Sequence, residues 1–323
     1  NAGKSLQLLA SNHNYNELGL TTIVVVPDST NSNVVKSRVG IQADAIPFSV
    51  LKECIDNLRE KAPLIHNITN YVTVNDVANI ILACGASPIM ADEIEEVEEI
   101  TSICNGLNIN IGTLNARTIP AMMAAGKKAQ ELNHVILLDP VGAGASTLRT
   151  NTALKLMEQI KFTVIRGNMS EIKALHQQGG DSRGVDVCEA DKVTEDNIQE
   201  AALFLQQFSK QHGCVIAVTG AIDLITDGEQ VYAIRNGRAE MGQITGTGCQ
   251  LSGLMTAYLA ANPEKPLEAA VTAVTAMGIA GEIAFSHMKE YEGNATYRNR
   301  IIDAICCMDG ETLEKMAKIE RII

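Results

Sequence analysis

A glycine-rich turn near residue 246 is the stretch of this sequence best suited to chemistry. Gly246-Thr247-Gly248-Cys249 precedes the apolar run Leu251–Ala261, which predicts a buried helix. Glycines let the backbone approach a ligand closely, and the first N–H groups of a helix have no internal partner. The turn is therefore suited to hold a phosphate or the charge that develops during phosphoryl transfer. The alternative interpretation is a glycine-rich helix start with a buried cysteine.

Two further stretches carry the charged groups that phosphoryl transfer needs. Asp139-Pro-Val-Gly-Ala-Gly144 places a carboxylate after an apolar run, and Arg166-Gly-Asn168 with Glu171 adds a cation, an amide and a second carboxylate. Kinase sites hold Mg²⁺ with one or two carboxylates, waters and phosphates. Asp139 and Glu171, each taken alone, are more typical of strand-end or helix-start carboxylates. Together with the glycine turn they favour a kinase.

Apolar runs alternate with helical patterns from Phe48 onward, and this alternation positions the candidate residues. The strand runs Val135–Leu138 and Cys214–Val218 are continuously apolar, as in strands buried on both faces. Helical patterns follow such runs, which predicts a mostly parallel sheet covered by helices on both faces. Ligands of such sheets bind beyond the carboxyl ends of the strands. The residues at these ends are Asn67, Met90, Thr113, Asp139, Arg166, Asn168, Thr219 and Gly220.

The sequence predicts one domain over residues 47–323, without an internal linker or repeat, and a separate segment before it. Leu224–Tyr232 predicts a hairpin that turns at Asp227-Gly228. Within residues 1–46, Leu20–Pro27 predicts a strand between turns rich in Asn, Ser and Asp. The role of this segment is unknown, and it fits a remnant of another domain, an added segment or an extra strand.

Composition and charge limit the function classes. The 323 residues are 46% hydrophobic and 3% aromatic, and the net charge of −12 disfavours nucleic acid and anionic membrane surfaces as partners. Eight cysteines without a C-x-x-C pair argue against a zinc cluster and a disulfide framework, and favour reduced thiols. The apolar stretch Leu267–Phe285 contains Glu268 and Glu282 and predicts a core helix rather than a membrane span. We expect a cytoplasmic protein.

Six motifs, in this order along the chain, resemble those of the hydroxyethylthiazole kinases of the ribokinase-like superfamily. They are His66-Asn-Ile-Thr-Asn70, Pro88-Ile-Met-Ala91, Asp139-Pro-Val-Gly142, Arg166-Gly-Asn168 with Glu171, Val218-Thr-Gly220 and Gly246-Thr-Gly-Cys249. The resemblance extends from about Phe48 to the C-terminus and leaves out residues 1–46. It implies a ribokinase-like three-layer α/β/α sandwich and a homotrimer with the thiazole site at subunit boundaries. It also implies ATP- and Mg²⁺-dependent phosphorylation of the primary hydroxyl of 4-methyl-5-(2-hydroxyethyl)thiazole, in thiamine biosynthesis or salvage.

The resemblance further implies roles for single residues at the strand ends. The residues expected to contact the thiazole are Met90, Gly246 and Asn67. The residues expected to bind ATP are Arg166, Thr219 and Asn168. Magnesium would be held by Asp139 and Glu171, and the backbone of Gly246, Thr247 and Gly248 would form the anion hole.

Cys249 is expected next to the substrate hydroxyl, at the position where other ribokinase-like enzymes carry an Asp base. An unperturbed thiol has a pKa of about 8.5, so little thiolate exists near neutral pH. We expect the helix N-terminus and nearby cations to lower the pKa of Cys249, so that it assists deprotonation of the hydroxyl. Most of the rate is then expected to come from positioning and charge stabilisation.

Three other functions fit the same scaffold. A kinase for a pyrimidine or pyridoxal-like alcohol would share the fold and the anion hole, and a dehydratase or repair enzyme would use ATP or ADP differently. Cys249 and the motif His66–Asn70 favour the thiazole. A non-catalytic sensor would keep the pocket, but it needs no magnesium carboxylates, so Asp139 and Glu171 argue against it.

Overall fold

The computed structural model describes residues 25–26, 34–36, 42–44, 46–178 and 192–323. Its strands are β1 (Val25–Val26), β2 (Val34–Lys36), β3 (Gln42–Asp44), β4 (Ile46–Pro47), β5 (Leu64–Ile68), β6 (Ser87–Met90), β7 (Gly106–Asn110), β8 (Val135–Asp139), β9 (Val164–Gly167), β10 (Val215–Val218), β11 (Asp223–Thr226), β12 (Val231–Ile234) and β13 (Ile319–Arg321). Its α-helices are α1 (Phe48–Lys61), α2 (Val74–Ala83), α3 (Val97–Ile103), α4 (Thr118–Glu131), α5 (Thr147–Gln159), α6 (Met169–Gln178), α7 (Ile198–His212), α8 (Thr247–Ala261), α9 (Pro266–Ser286), α10 (Asn294–Cys307) and α11 (Gly310–Met316).

In the described ranges, nine strands form one sheet in the spatial order β13-β12-β11-β10-β9-β8-β7-β5-β6. Strands β5 to β10 run parallel to their neighbours. Strands β11, β12 and β13 extend the sheet in antiparallel orientation. Because parallel strands point the same way, the carboxyl ends of β5 to β10 meet at one edge of the sheet.

Helices cover both faces of this sheet, each over its own apolar core. Helices α1, α2, α8, α9, α10 and α11 pack over one face, with strand residues such as Leu137 and Val164. Helices α3 to α7 pack over the other face, with Leu138 and Ile165. Neighbouring residues of one strand thus enter different cores, which explains the continuous apolar runs. The predicted three-layer α/β/α sandwich around a mostly parallel sheet is confirmed.

Helix α8 is almost entirely buried, and it lies against α1, α2 and α9 as well as against strands β5, β7 and β8. Its neighbour α9 is long and apolar enough to cross a membrane by length and composition, but 78% of its most apolar window is buried inside the structure. The contacts of α9 with α8 and α10 explain that apolar composition as core packing.

Several element boundaries differ from the sequence-based predictions. The sequence pattern of Glu311–Lys318 predicts a helix, but the helix ends at Met316, and residues 319–321 form β13, which pairs with β12. A three-residue strand is too short to leave an alternating pattern in the sequence. The sequence pattern likewise predicts a helix over Thr152–Gln159, but α5 already begins at Thr147, because Ser146 caps it by accepting a hydrogen bond from the N–H of Arg149.

The predicted hairpin is present, and part of the predicted N-terminal strand is described. Strands β11 and β12 form the predicted antiparallel hairpin, and Gly228 adopts a positive φ of 94° at its turn. Of the predicted strand Leu20–Pro27, Val25–Val26 are strand and pair in parallel with β4, while the rest lies outside the described residues. The division of the chain at residues 46 and 47 stays a prediction.

Candidate active site

On the face that packs against α8, apolar residues of several parallel strands give way to a polar residue at the carboxyl end. On β8, for example, Leu137 is followed two residues later by Asp139 on the same face. The polar residues in question are Asn67 on β5, Asn108 and Asn110 on β7, Asp139 on β8, Arg166 on β9 and Thr219 just after β10. Strand pairing places Asn67 beside Met90 of β6, and Asn110 beside Asp139. A row of candidate residues thus runs along the sheet edge from Met90 to Thr219.

The N-terminus of α8 lies over this row. Gly246 is its N-cap residue with a φ of +91°, and an added Cβ would lie 2.3 Å from Cγ2 of Thr73. Within the described ranges no side chain caps the helix there, so its first N–H groups are available to a ligand. An added Cβ on Gly248 would lie 2.7 Å from Nη1 of Arg166. The helix N-terminus and a guanidinium therefore adjoin each other, which suits an anion.

Asp139 is the buried charge at the centre of the row. Its Oδ2 accepts hydrogen bonds from Nδ2 of Asn110 at 2.7 Å and from Oγ of Ser252 at 2.8 Å. Its Oδ1 has no partner among the described residues. Burial, opposed by the charge of Arg166 and assisted by the nearby charge of Glu171, raises the pKa of Asp139 to about 6.

Arg166 connects Asp139 to the end of β10. Its side chain is one-tenth exposed; Nη1 lies 3.6 Å from Oδ2 of Asp139, and Nη2 donates a 2.5 Å hydrogen bond to Oγ1 of Thr219. The buried Nε has no partner in the described part of the chain. The guanidinium is therefore fixed between a carboxylate and a hydroxyl, with donor capacity left for a ligand.

Cys249 faces amide donors rather than cations. Nδ2 of Asn70 lies 3.1 Å from its Sγ, and Nδ2 of Asn110 lies 3.3 Å away. The prediction that the site lowers the pKa of this thiol is wrong. Burial, and then the charge of Asp139, raise that pKa above its ordinary value, and these effects outweigh the hydrogen bonds that lower it. The sequence did not indicate that the charge acting on this thiol would be that of Asp139.

Glu171 and Asn168 form a reciprocal cap at the start of α6. Oδ1 of Asn168 accepts from the N–H of Glu171 at 2.9 Å, and Oε2 of Glu171 accepts from the N–H of Asn168 at 2.9 Å. Oε1 of Glu171 accepts from the N–H of Gly142 at 2.8 Å, which holds the loop after β8. Asn168 thus has a structural task beside the nucleotide-binding role predicted for it, which stays a prediction.

Asn67 and Met90 form the opposite end of the row. Nδ2 of Asn67 donates to the carbonyl oxygen of Ile65 at 2.9 Å, and its Oδ1 accepts from Nδ2 of Asn108 at 3.0 Å. Met90 is partly buried and packs against the core on the α8 side. These bonds fix the orientation of the Asn67 amide, which leaves one N–H of Nδ2 for a ligand.

Four polar residues at the centre of the site were not predicted from the sequence: Asn70, Asn110, Ser252 and Thr73. The two amides and Ser252 contact Cys249 or Asp139, and Thr73 packs against Gly246. A signal for Asn110 is present, since Asn108 and Asn110 alternate with apolar residues in a fully buried strand. Buried amides need partners, so two on one strand face predict a polar network there.

The carboxylates fit a magnesium ion. No group of three or more His, Cys, Asp or Glu side chains suited to a metal occurs in the described ranges. Mg²⁺ bound together with phosphates and waters needs only one or two carboxylates. The unpartnered, fully buried Oδ1 of Asp139 is an oxygen available to such an ion, and Glu171 is close enough to shift the pKa of Asp139.

Comparison with known proteins agrees with this geometry. Residues 55–311 match the model of the hydroxyethylthiazole kinase family. A hydroxyethylthiazole kinase of Clostridium acetobutylicum is 57% identical over 271 residues, which are 84% of this chain and 99% of that protein.

Solved structures agree as well. The structure of a hydroxyethylthiazole kinase protein from Pyrococcus horikoshii has a TM-score of 0.76 and 33% identity, and the match covers 85% of this chain and 100% of that one. A pyridoxal kinase from Staphylococcus aureus, solved with AMP-PCP and pyridoxal, shares the fold at 16% identity with a TM-score of 0.54, covering 80% of this chain and 98% of that one. The family match and these identities establish that this chain belongs to the hydroxyethylthiazole kinase family.

Proposed function

We infer that this chain is a kinase that transfers the γ-phosphoryl group of ATP to the primary hydroxyl of hydroxyethylthiazole, in thiamine biosynthesis or salvage. Family membership supports the reaction and the acceptor. The observation that carries the assignment is the row from Met90 to Thr219, which lies beneath the uncapped N-terminus of α8. Phosphoryl transfer needs this combination of carboxylates, a cation and an anion hole.

We propose that the two substrates approach from opposite ends of the row. ATP binds over β9 and β10, where Arg166 and Thr219 lie and Asn168 is near. The thiazole binds over β5 and β6, against Met90 and Asn67, with Gly246 at its side. The hydroxyl then meets the γ-phosphate in the middle, beside Cys249, which agrees with the order of these strands across the sheet.

In the middle of the row, the chain supplies fixed charges and dipoles. The N–H groups at Gly246, Thr247 and Gly248, with Arg166, face the transferring phosphoryl group and stabilise its developing charge. Asp139 and Glu171 would hold Mg²⁺, which would supply positive charge to the phosphate groups. The raised pKa keeps Cys249 mainly a thiol at neutral pH, so its contribution is to position the hydroxyl more than to remove its proton.

The assembly and location of the enzyme are proposals as well. We propose a homotrimer with the thiazole site at the subunit boundary. Tyr71 and Val72, just after β5, are 58% and 68% exposed and place apolar surface beside that end of the row. We further propose a cytoplasmic location, where thiols stay reduced. Light scattering of the purified protein tests the trimer, and a monomer at micromolar concentration would contradict it.

A coupled assay for ADP release tests the acceptor. The enzyme is given ATP and Mg²⁺ with hydroxyethylthiazole, with hydroxymethylpyrimidine or with pyridoxal. We expect ADP to be released with the thiazole, together with an equal amount of phosphorylated alcohol. Turnover with another alcohol alone would leave the fold intact and refute the thiazole assignment. ATP binding without turnover of any of the three alcohols would support the alternative function, a non-catalytic sensor.

A further inference from the structure

Asn110 uses its whole hydrogen-bonding capacity inside the site. Its Nδ2 donates to Oδ2 of Asp139 at 2.7 Å and to Sγ of Cys249 at 3.3 Å. Its Oδ1 accepts from the N–H of Gly112 at 2.9 Å and from Nδ2 of Asn70 at 3.1 Å. The backbone donor at Gly112 fixes which end of the amide is oxygen, so the NH₂ group must point at Asp139 and Cys249.

The loop after β7 is shaped around this amide. A Cβ added to Gly112 would lie 3.0 Å from Oδ1 of Asn110 and 3.0 Å from Nδ2 of Asn70. Asn70 in turn donates to Cys249, and its Oδ1 accepts from the hydroxyl of Thr73 at 3.1 Å. Each of the two amides is therefore fixed by the other and by backbone, and both donate to the same sulfur.

The two groups that Asn110 connects belong to different parts of the proposed reaction. Asp139 lies on the side of the metal and nucleotide, whereas Cys249 lies where the acceptor hydroxyl is expected. Both are strand-end or helix-start side chains with rotational freedom of their own. A donor shared between them sets their separation, and it occupies Oδ2 of Asp139 while Oδ1 has no partner among the described residues.

We propose that Asn110 is a positioning residue that holds Asp139 and Cys249 in register with each other, and so aligns the acceptor hydroxyl with the phosphoryl group. This inference rests on the proposed function, since it assigns Asn110 to the same site. Ser252 makes a comparison possible, because it donates to Asp139 Oδ2 without donating to Cys249. We call the two hydrogen bonds from Nδ2 of Asn110, to Asp139 and to Cys249, the bridge. The proposal requires that the bridge, and not merely hydrogen bonding to Asp139, determines the rate.

Asn110→Asp keeps the shape and the acceptor oxygen and removes both donors, but it adds a negative charge beside Asp139, so Asn110→Ala, which adds no charge, must show the same loss. We expect kcat to fall about 100-fold, as for a misplacement of about 1 Å, with KM for ATP and for the thiazole within about threefold of wild type. Ser252→Ala is the matched control, and we expect its kcat to fall less than about tenfold. Equal losses in the two variants, or a wild-type kcat in Asn110→Asp, would overturn the proposal.

A double-mutant cycle separates positioning from general damage to the fold. If Asn110 acts through Cys249, Asn110→Ala should cost at least about fivefold less in kcat when Cys249 is already Ala, because alanine offers no acceptor to the amide. Strictly additive losses would overturn the bridge. A thermal melt of each variant shows whether it is folded, and Asn110→Ala and Asn110→Asp provide independent variants if one of them is not.

A readout without turnover keeps this test apart from the proposed function. Iodoacetamide labelling of the Cys249 peptide, followed by mass spectrometry, reports how the amides hold the sulfur, whatever the substrate is. We expect the labelling rate to change at least about threefold in Asn110→Ala and to stay near wild type in Ser252→Ala. A labelling rate unchanged in Asn110→Ala would refute the bridge even in an enzyme that phosphorylates the thiazole normally.

Discussion

Gly248→Ala tests how tightly the anion hole and the cation are packed. The added Cβ would lie 2.7 Å from Nη1 and 2.9 Å from Nη2 of Arg166, where ordinary contacts begin at 3.4 Å. The guanidinium must therefore retreat by about 0.7 Å. It has little room to do so, because it is held by Thr219 at 2.5 Å and by Asp139 at 3.6 Å.

The expected cost is large for turnover and small for stability. Displacement of a reacting or stabilising group by about 1 Å costs about 100-fold in rate, which corresponds to about 2.7 kcal/mol. Loss of the Arg166–Thr219 hydrogen bond costs about 1.5–3 kcal/mol of folding free energy. Replacing Gly by Ala in a helix returns up to about 1 kcal/mol. We expect kcat/KM for ATP to fall about 100-fold while the net loss of stability stays near 1–2 kcal/mol.

Gly253→Ala is the matched control on the same helix. Its Cβ would meet Cγ1 of Val77 at 2.8 Å and Cδ1 of Ile81 at 3.1 Å, so the crowding is similar but falls on apolar side chains of α2. This variant should lose stability and keep a kcat/KM for ATP within about threefold of wild type. The assays are ADP release and thermal melting of both variants. Wild-type kinetics in Gly248→Ala, or equal kinetic losses in both, would refute the reasoning.

Three further predictions concern residues around α8. Cys249→Ser should lower kcat modestly, by about tenfold or less. Cys249→Asp should remain active, because a carboxylate there can accept the hydroxyl proton. A Cys249→Asp protein that is folded but inactive would contradict this prediction. Burial raises the pKa of Asp139 to about 6, above that of an unfolded Asp, so protonation of this group favours the folded protein. The contribution to stability is complete below the pKa of an unfolded Asp and is lost as the pH rises through 6. Thermal melts should therefore show a gain in stability from pH 7 to pH 5 that is smaller in Asp139→Asn, and an equal gain in both would count against it. Gly246→Ala should destabilise by about 2 kcal/mol or more, because its φ is +91° and its Cβ would lie 2.3 Å from Thr73; an unchanged melt would disprove the clash.

The sequence was sufficient for the layout of the sheet and for most residues at its functional edge. Continuous apolar strands followed by helices require a parallel sheet between two helical layers, and such a sheet collects its strand ends at one edge. Asp139, Arg166 and Thr219 could therefore be predicted to lie together, and the structure places them within hydrogen-bonding or ion-pair distance. Strand β13 could not be predicted, because three residues carry too little pattern.

Side-chain pairing could not be read from the sequence. The pKa of Cys249 depends on which groups surround its sulfur, and those that act on it include two amides and the charge of Asp139 instead of the expected cations. Whether a strand-end Asn faces a ligand or another side chain depends on strand register, which sequence alone does not give. For this reason Asn110, which contacts both Asp139 and Cys249, was missed while its neighbours were predicted.

The opposite placement of the two substrates along the sheet edge is tested most directly by a pair of Michaelis constants. Met90→Ala removes apolar surface at the β6 end, and Thr219→Val removes a hydroxyl at the β10 end without changing shape. We predict that Met90→Ala raises KM for the thiazole about tenfold and leaves KM for ATP within twofold, and that Thr219→Val does the reverse. If both variants raise the same constant, or if the effects are exchanged, the proposed arrangement of the active site is wrong.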